Sequence, residues 1–214
     1  MAETNSCNNS GQQGVSDVFA SALWGVDYMF TLAGHNSGGV NFHCGSGGNY
    51  LPTPIQAEGN QIIAHPLYYA LLLFRAAAQG RMVPLDVAAN GVNLTAYGVV
   101  DNDDTLRVTV INKDLAQNAA VTLTAGSGYT RASVMRLAAP AVDSTTGVTL
   151  GGATVAVDGS WSPAQLENGT VNGGAFHTTV SAGSAALVTL SNSGARRGRC
   201  RGECASRMMS SAER

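Results

Sequence analysis

The hydrophobic periodicity of this chain changes once, between residues 81 and 86, and that change constrains the fold more than any other feature. Before it, apolar residues recur every three or four positions, as on one face of a helix. After it, short alternating or β-branched runs are separated by turn residues, as in β-strands. The sequence therefore predicts an α/β part over residues 1–80 and an all-β part over residues 81–193.

The α/β part contains patterns for two helices with a strand between them. Apolar positions from Val15 to Ala33 predict the first helix, and Pro66, a favoured first helical residue, opens a second helix that ends before Gly80. The apolar run over residues 40–44 is bounded by glycines and predicts a buried strand. Such an alternation is typical of a parallel (β/α)8, or TIM, barrel.

The all-β part is predicted to be an antiparallel β-sandwich. Its candidate strands are short and are separated by clusters of glycine, asparagine and aspartate, which is the pattern that sandwiches show. The predicted strands cover residues 92–100, 105–111, 120–124, 132–137, 148–150, 154–157 and 185–190.

The charge distribution separates the body of the chain from its end. Residues 1–194 carry six basic and 12 acidic side chains, so they offer no basic stripe that would neutralise phosphates, and nucleic acid is not an expected partner. The other six basic residues follow Gly194 in a stretch without periodicity. Residues 194–214 are therefore predicted to be a disordered or aberrant tail, with a basic interaction arm as the alternative.

Membrane, metal and cofactor partners are not expected either. The most apolar run, residues 67–74, is much shorter than the roughly 20 residues that a spanning helix needs. The cysteines at positions 7, 44, 200 and 204 lack the paired spacing of a metal site and are too few for a disulfide framework. The first residues do not have the pattern of a signal peptide, which leaves the compartment open.

Glu3 is the candidate catalytic residue. It stands in the run Glu3-Thr-Asn-Ser-Cys, which is followed by a polar loop and then by the first predicted helix. A carboxylate in that place would project from the carboxyl end of a barrel strand, where barrel enzymes carry their catalytic groups.

Three segments carry a resemblance to a known family. The run that begins at Glu3, the segment over residues 14–30 and the run Gly39-Val-Asn-Phe-His closely resemble the nucleophile-bearing region of family 79 glycoside hydrolases, the β-glucuronidase and heparanase-like enzymes. With residues 68–74 and 182–190, the likeness extends over residues 2 to about 192.

The resemblance implies the last two βα units of a TIM barrel followed by a β-sandwich. On that map Glu3 is the nucleophile at the end of strand seven, and residues 15–33 are helix seven. Residues 39–43 are strand eight and residues 66–79 are helix eight. The family's acid/base glutamate, which follows strand four, has no counterpart in these 214 residues. We therefore expect a carboxy-terminal fragment that needs an N-terminal barrel portion as its partner and is inactive alone.

The resemblance also implies a carbohydrate substrate, a β-glucuronide or a related glycoside. Tyr50 matches the position of a tyrosine that holds the uronate. Asn8 and Asn9 lie in the loop after the nucleophile, where the family has an aromatic and a longer amide, so the choice of sugar stays open. His43 on strand eight is predicted to be a hydrogen-bonded core or rim residue. The loop acid Glu58 is expected to be solvated.

Two other functions for the sandwich remain open from the sequence. It is either a carbohydrate-binding module or a purely structural domain that shields the barrel. A binding module would present aromatic side chains on a flat strand face, but the few aromatics of residues 88–194 are scattered over different segments: Tyr97, Tyr129, Trp161 and Phe176. The sequence favours the structural role.

Overall fold

A computed structural model describes residues 3–43, 48–53 and 61–192 of the chain. Two helices come first, and strands follow to the end of the described part. The elements are α1 (Phe19–Gly34), α2 (Pro66–Ala77), β1 (Arg81–Val83), β2 (Leu94–Val100), β3 (Leu106–Asn112), β4 (Ala119–Thr124), β5 (Arg131–Ala138), β6 (Thr149–Leu150), β7 (Glu167–Thr170), β8 (Ala175–Val180) and β9 (Ser184–Ser191).

The first helix begins later than the sequence predicts. Its N-cap, Val18, provides no side-chain hydrogen bond. Instead, the N–H groups of Phe19 and Ala20 donate to the carbonyls of Ser144 and Val142, both at 2.8 Å. The orphan donors of a helix start are thus satisfied by a distant loop rather than by a local cap. The start of α2 is as predicted, with Pro66 in its first turn.

A seven-stranded antiparallel sheet forms the centre of the molecule. Its strands follow the order β1-β2-β3-β9-β5-β6, and β7 pairs with β5 beside that path. Val188 of β9 lies opposite both Val108 of β3 and Val134 of β5, so the last of the described strands occupies the middle of the sheet. Strands β4 and β8 form a separate antiparallel pair.

The two faces of the large sheet bury different partners. In β9, Ala185 and Leu187 belong to a core that also contains residues of α1 and α2. The alternate residues Ala186, Val188 and Leu190 belong to a second core, shared with β4 and β8. Because successive side chains of a strand point to opposite faces, the sheet is the middle of three layers. The helices lie on one side of it and the small sheet on the other.

A polar cluster joins α1 to the sheet. The carboxylate of Asp27 accepts hydrogen bonds from Thr95 Oγ1 and Tyr97 OH, both at 2.6 Å, and from Lys113 Nζ at 2.8 Å. Burial raises the pKa of Asp27, but these bonds and the Lys113 charge outweigh it, so its pKa lies below the ordinary value. The cluster holds the helix in one position on the sheet.

The β part agrees with the predicted antiparallel class, with local exceptions. The strand predicted over residues 154–157 is wrong, because this segment is a loop in which Val155 N–H donates to Tyr69 OH at 3.1 Å. Strands β1, β7 and β8 were not predicted. The strand predicted over residues 40–44 is reduced to one bridge at Phe42 within its described residues, 40–43.

Other sequence predictions lie beyond what the structure tests. The division into two domains at residue 80 stays a prediction, since α1 and α2 share a core with the sheet. The predicted tail over residues 194–214 lies outside the described residues. No helix in the described part of the chain has both the length and the apolar character needed to cross a bilayer.

Candidate active site

The candidate site is built on one parallel bridge between two extended segments. Thr4 and Phe42 are its partners. Thr4 N–H donates to the carbonyl of Asn41 at 2.9 Å, and His43 N–H donates to the carbonyl of Thr4 at 3.2 Å. Thr4 Oγ1 also lies 2.9 Å from the hydroxyl of Tyr28 on α1. The bridge therefore brings the residues next to it, Glu3 and His43, side by side.

Glu3 and His43 form a hydrogen-bonded pair. The imidazole Nδ1 of His43 lies 2.8 Å from Oε1 of Glu3. The Glu3 side chain is 68% exposed and that of His43 42% exposed, so the pair faces solvent. An ionised carboxylate only accepts hydrogen bonds, which means that Nδ1 carries the proton when Glu3 is charged. Among the described residues, the hydrogen bond given for the Glu3 carboxylate is the one at Oε1.

Tyr50 packs against the other side of this pair. Its ring meets that of His43 edge to face, with ring centroids 5.6 Å apart and planes at 72°. The residue is only 8% exposed. Its carbonyl accepts a hydrogen bond from Asn5 Nδ2 at 3.2 Å. Gly11 has φ +81°, and a Cβ there would lie 2.9 Å from Cδ1 of Tyr50. The loop after Glu3 thus closes tightly around Tyr50.

Asn8 and Asn9 lie at the surface of the same loop. Both residues are exposed, and Asn9 has φ +48° in the turn that the Gly11 N–H closes on the Asn8 carbonyl at 3.1 Å. Within the described residues, no side-chain hydrogen bond joins either amide to Glu3 or Tyr50. The structure brings Glu3 and Tyr50 together and leaves the two asparagines at the rim.

An aromatic cluster supports the bridge from the side of α1. Trp24 and Tyr28 stack with centroids 4.9 Å apart. Phe42 meets their rings at 6.2 Å and 6.4 Å respectively. Because Tyr28 also reaches Thr4, the helix holds the bridge through both an apolar contact and a hydrogen bond. The helix is itself held on the sheet by Asp27.

Other acids and cysteines of the described chain have local roles. Asp17 accepts the N–H of Gly14 at 2.6 Å, and Asp101 binds Arg107 and the backbone of its own turn. Hydrogen bonds from Arg107, Thr105 and Asp103 lower the pKa of Asp101 despite partial burial. In this part of the chain no three His, Cys, Asp or Glu side chains group to hold a metal. Glu58, Cys44, Cys200 and Cys204 lie outside it.

Comparison with known proteins finds a family model that matches the β part. Residues 96–187 match the model of the glycosyl hydrolase family 79 C-terminal beta domain. This part of the chain is therefore similar to the C-terminal β domain of that family. This confirms the resemblance inferred from the sequence, and the match falls on strands β2 to β9, the part that contains the sheet.

Two relatives extend the likeness beyond this domain. A β-glucuronidase of Aspergillus niger is 35% identical over 117 residues, which cover 52% of this chain and 21% of the relative. A 4-O-α-L-rhamnosyl-β-D-glucuronidase from Fusarium oxysporum 12S has a similar structure, with a TM-score of 0.72 and 28% identity over 88% of this chain and 42% of that one. The chain thus spans about a fifth of the first and less than half of the second.

More distant structures share the fold alone. An α-L-arabinofuranosidase from Thermotoga maritima superposes with a TM-score of 0.67 at 16% identity, covering 88% of this chain and 42% of that enzyme.

The aromatic side chains of the β domain are engaged internally. Tyr97 stacks on Phe30 of α1 with centroids 4.9 Å apart and planes at 9°. Phe176 is 8% exposed within the second core. Trp161 Nε1 donates to the carbonyl of Leu150 at 3.2 Å. Phe176 is buried, whereas Tyr97 and Trp161 are partly buried and pack against the core shared with the helices, so the three rings do not lie together on one exposed strand face.

The role of His43 is the part of the site that the sequence did not reveal. The sequence indicated a hydrogen-bonded core or rim residue, and the structure gives Glu3 as its hydrogen-bond partner, which the sequence did not predict. One signal was available: the residue lies at the end of a predicted strand that would neighbour the strand ending at Glu3. In a parallel arrangement such ends lie at the same edge.

Proposed function

We propose that this chain is the carboxy-terminal part of a retaining glycoside hydrolase that acts on β-glucuronides, with Glu3 as its nucleophile. The observation that carries the proposal is the parallel Thr4–Phe42 bridge, beside which the exposed carboxylate of Glu3 is held by His43. The two glucuronidases that resemble the chain support the choice of substrate class.

The chemistry follows from the geometry that a retaining mechanism requires. One carboxylate attacks the anomeric carbon while a second carboxyl group, about 5 to 5.5 Å away, protonates the departing oxygen. The bond from the sugar to its leaving group breaks as the bond to Glu3 forms, and water then releases the sugar with the second group acting as base. The proposal requires this acid/base on a barrel portion outside residues 3–192.

The helical part fits the last two βα units of such a barrel. Its two extended segments are parallel where they meet, at Thr4 and Phe42, and each is followed along the chain by a helix. The alternation of segment and helix is what a barrel needs, and Glu3 lies at an end of its segment.

Recognition of the uronate is proposed for Tyr50 with Asn8 and Asn9. Tyr50 contacts the imidazole that binds the nucleophile, so a sugar bound at Glu3 would lie near its phenol. The asparagine amides at the rim supply further donors for a carboxylate.

Two alternative functions are open to the β domain, a structural role and carbohydrate binding. One observation supports the structural role. The sheet shares one core with α1 and α2, and the Asp27 cluster fixes α1, which in turn supports Thr4 through Tyr28. We infer that the β domain holds the nucleophile segment in place. An independent carbohydrate-binding module has less support, because Tyr97, Trp161 and Phe176 do not lie together on one exposed strand face.

The test joins the 214-residue chain to the part of the Fusarium oxysporum 12S enzyme that it does not cover. The chain replaces the matching portion of that enzyme, and hydrolysis of p-nitrophenyl β-glucuronide is measured. We expect Glu3→Gln to reduce turnover by several orders of magnitude while substrate binding is retained, since the shape is kept and the charge removed. A cyclophellitol-type glucuronide probe should label the peptide that contains Glu3.

A matched control is Asp86→Asn, which neutralises an exposed acid in the loop between β1 and β2. It should leave both turnover and labelling unchanged. Labelling on another acid, or a Glu3→Gln variant with near-normal turnover, would remove Glu3 from the mechanism.

A further inference from the structure

We propose that His43 is a positioning residue for Glu3, which presents the carboxylate for attack by holding one of its two oxygens. The inference rests on the proposed role of Glu3 as nucleophile. It starts from the 2.8 Å contact between Nδ1 of His43 and Oε1 of Glu3.

The Glu3 side chain needs such a partner because little else restrains it. It is 68% exposed, and a glutamate in water samples many rotamers. An exposed pair of polar side chains contributes little to stability, so the contact with His43 is not explained by folding. Its consequence is geometric: with Oε1 bound, rotation of the carboxylate is restricted and Oε2 remains free to attack the anomeric carbon.

The imidazole can act in this way because His43 is itself held by a backbone hydrogen bond and by a ring contact. Its backbone N–H donates to the carbonyl of Thr4 at 3.2 Å, within the bridge. Its ring meets the buried ring of Tyr50 edge to face. The carbonyl of Tyr50 is bound by Asn5, two residues after Glu3. The loop after Glu3 thus holds Tyr50, Tyr50 packs against His43, and His43 binds Glu3.

The pairing also sets the chemical form of the imidazole. Since an ionised carboxylate has no proton to give, the hydrogen on Nδ1 must come from His43. A neutral imidazole with its proton on Nδ1 holds the carboxylate without cancelling its charge, which the nucleophile needs for attack. No proton passes from His43 to the substrate in this role.

The first test uses the 214-residue chain alone and does not depend on activity. Nitrogen-15 NMR of the His43 ring is recorded at about pH 8, above the usual titration range of histidine. We expect the Nδ1 signal of a protonated nitrogen in the wild type. In Glu3→Leu the signal should shift toward that of an unprotonated nitrogen, because the acceptor is gone. An unprotonated Nδ1 in the wild type would overturn the proposal.

The second test uses the same fusion as above, with His43→Leu and His43→Asn. The amide nitrogen of an asparagine side chain can take the place of Nδ1 as donor, whereas leucine removes the donor and keeps bulk. We expect His43→Leu to lower kcat and the rate of labelling at Glu3 about 10²-fold, as for misplaced catalytic groups, with KM little changed. His43→Asn should recover most of the loss.

The outcomes separate this inference from the proposed function. If Glu3→Gln abolishes turnover but His43→Leu does not lower kcat, the positioning role is wrong and the nucleophile assignment stands. If both His43 variants lose turnover equally, the donor role of Nδ1 is wrong. Turnover that survives Glu3→Gln would contradict the proposed function itself, while the NMR result would still report on the pair.

Discussion

Asp27 of α1 and Lys113, the residue that follows β3, form an ion pair of 2.8 Å across the contact between the helix and the sheet. Both side chains are largely shielded, at 22% and 30% exposure. The pair lies beside the stack of Tyr97 on Phe30, so polar and apolar contacts hold the same part of α1. Several properties of the protein should follow from this contact and from those around it.

The Asp27 cluster predicts a pH-dependent part of the stability. The pKa of Asp27 is lower in the folded protein than its ordinary value, so the folded state releases this proton more readily than the unfolded chain. Its stabilising contribution is therefore complete above about pH 4 and is lost as the pH falls through the folded pKa. We expect Asp27→Asn to lower the free energy of unfolding by about 1 to 3 kcal/mol at neutral pH.

Urea unfolding between neutral and acid pH measures this effect. The difference between the wild type and Asp27→Asn should shrink as the pH falls below about 4. The exposed control Asp86→Asn should change the stability by less than about 0.5 kcal/mol. A difference between the wild type and Asp27→Asn that stays constant with pH would contradict the assigned role.

The close contact between α1 and α2 predicts an unusual effect of a Gly→Ala substitution on stability. In a helix interior Gly→Ala usually stabilises by up to about 1 kcal/mol. At Gly25, however, a Cβ would lie 2.6 Å from Cδ1 of Leu67 and 3.1 Å from Cβ of Ala70. We expect Gly25→Ala to destabilise the protein by about 1 to 3 kcal/mol through overpacking.

Gly34 at the end of the same helix provides the comparison. A Cβ there would meet only Cε of Met82, at an ordinary 3.7 Å. Gly34→Ala should therefore be neutral or stabilising in thermal unfolding. A stabilised Gly25→Ala would mean that the helices do not cross at this residue.

Because α1, α2 and the large sheet share a core, a cavity between them should greatly lower the free energy of unfolding. Leu137 of β5 is fully buried in the core that contains α1 and α2. Leu137→Ala should lower the free energy of unfolding by about 2 to 5 kcal/mol. Leu115, which is 74% exposed, is the matched control and should respond by less than about 0.5 kcal/mol. Equal effects of the two variants in urea unfolding would contradict the three-layer arrangement.

The proposed contact of Tyr50 with the uronate predicts a binding defect. In the fusion with the barrel portion, Tyr50→Phe removes one phenol donor and keeps the ring that packs on His43. We expect weaker substrate binding by about 1 to 3 kcal/mol, while the covalent adduct on Glu3 still forms. Asn8→Ala and Asn9→Ala should weaken binding less, because both lie at the rim. Unchanged binding in Tyr50→Phe would limit Tyr50 to packing.

Sequence patterns predicted those elements whose own residues carry the signal. Strand β9 reads as a strand because it is buried over nearly its whole length. Strand β7 has the run Glu-Asn-Gly-Thr, which is typical of a turn, and it exists only because Arg131 to Val134 of β5 pair with it. The run over residues 154–157 has a strand-like composition, yet it is a loop. The N–H of Val155 donates to Tyr69 OH rather than to a neighbouring strand.

The candidate site also contains a long-range contact that sequence patterns do not predict. Glu3 and Tyr50 were found because a family pattern surrounds them. The pairing of Glu3 with His43 joins residues 40 positions apart through a side-chain contact, and no local pattern encodes such a contact. The beginning of α1 was placed too early for a similar reason, since its donors are bound by carbonyls more than 100 residues away.

The central place of β9 in the large sheet has a consequence for biosynthesis. A ribosome delivers β1, β2 and β3 early and β5 soon after, but the strand that must lie between β3 and β5 emerges after all the other described strands. Until β9 emerges, β3 and β5 each have an unpaired edge. The core around α1 also lacks Ala185 and Leu187. Assembly of the sheet must therefore wait until β9 has left the ribosome, and a nascent chain halted before Ser184 presents surfaces that chaperones bind.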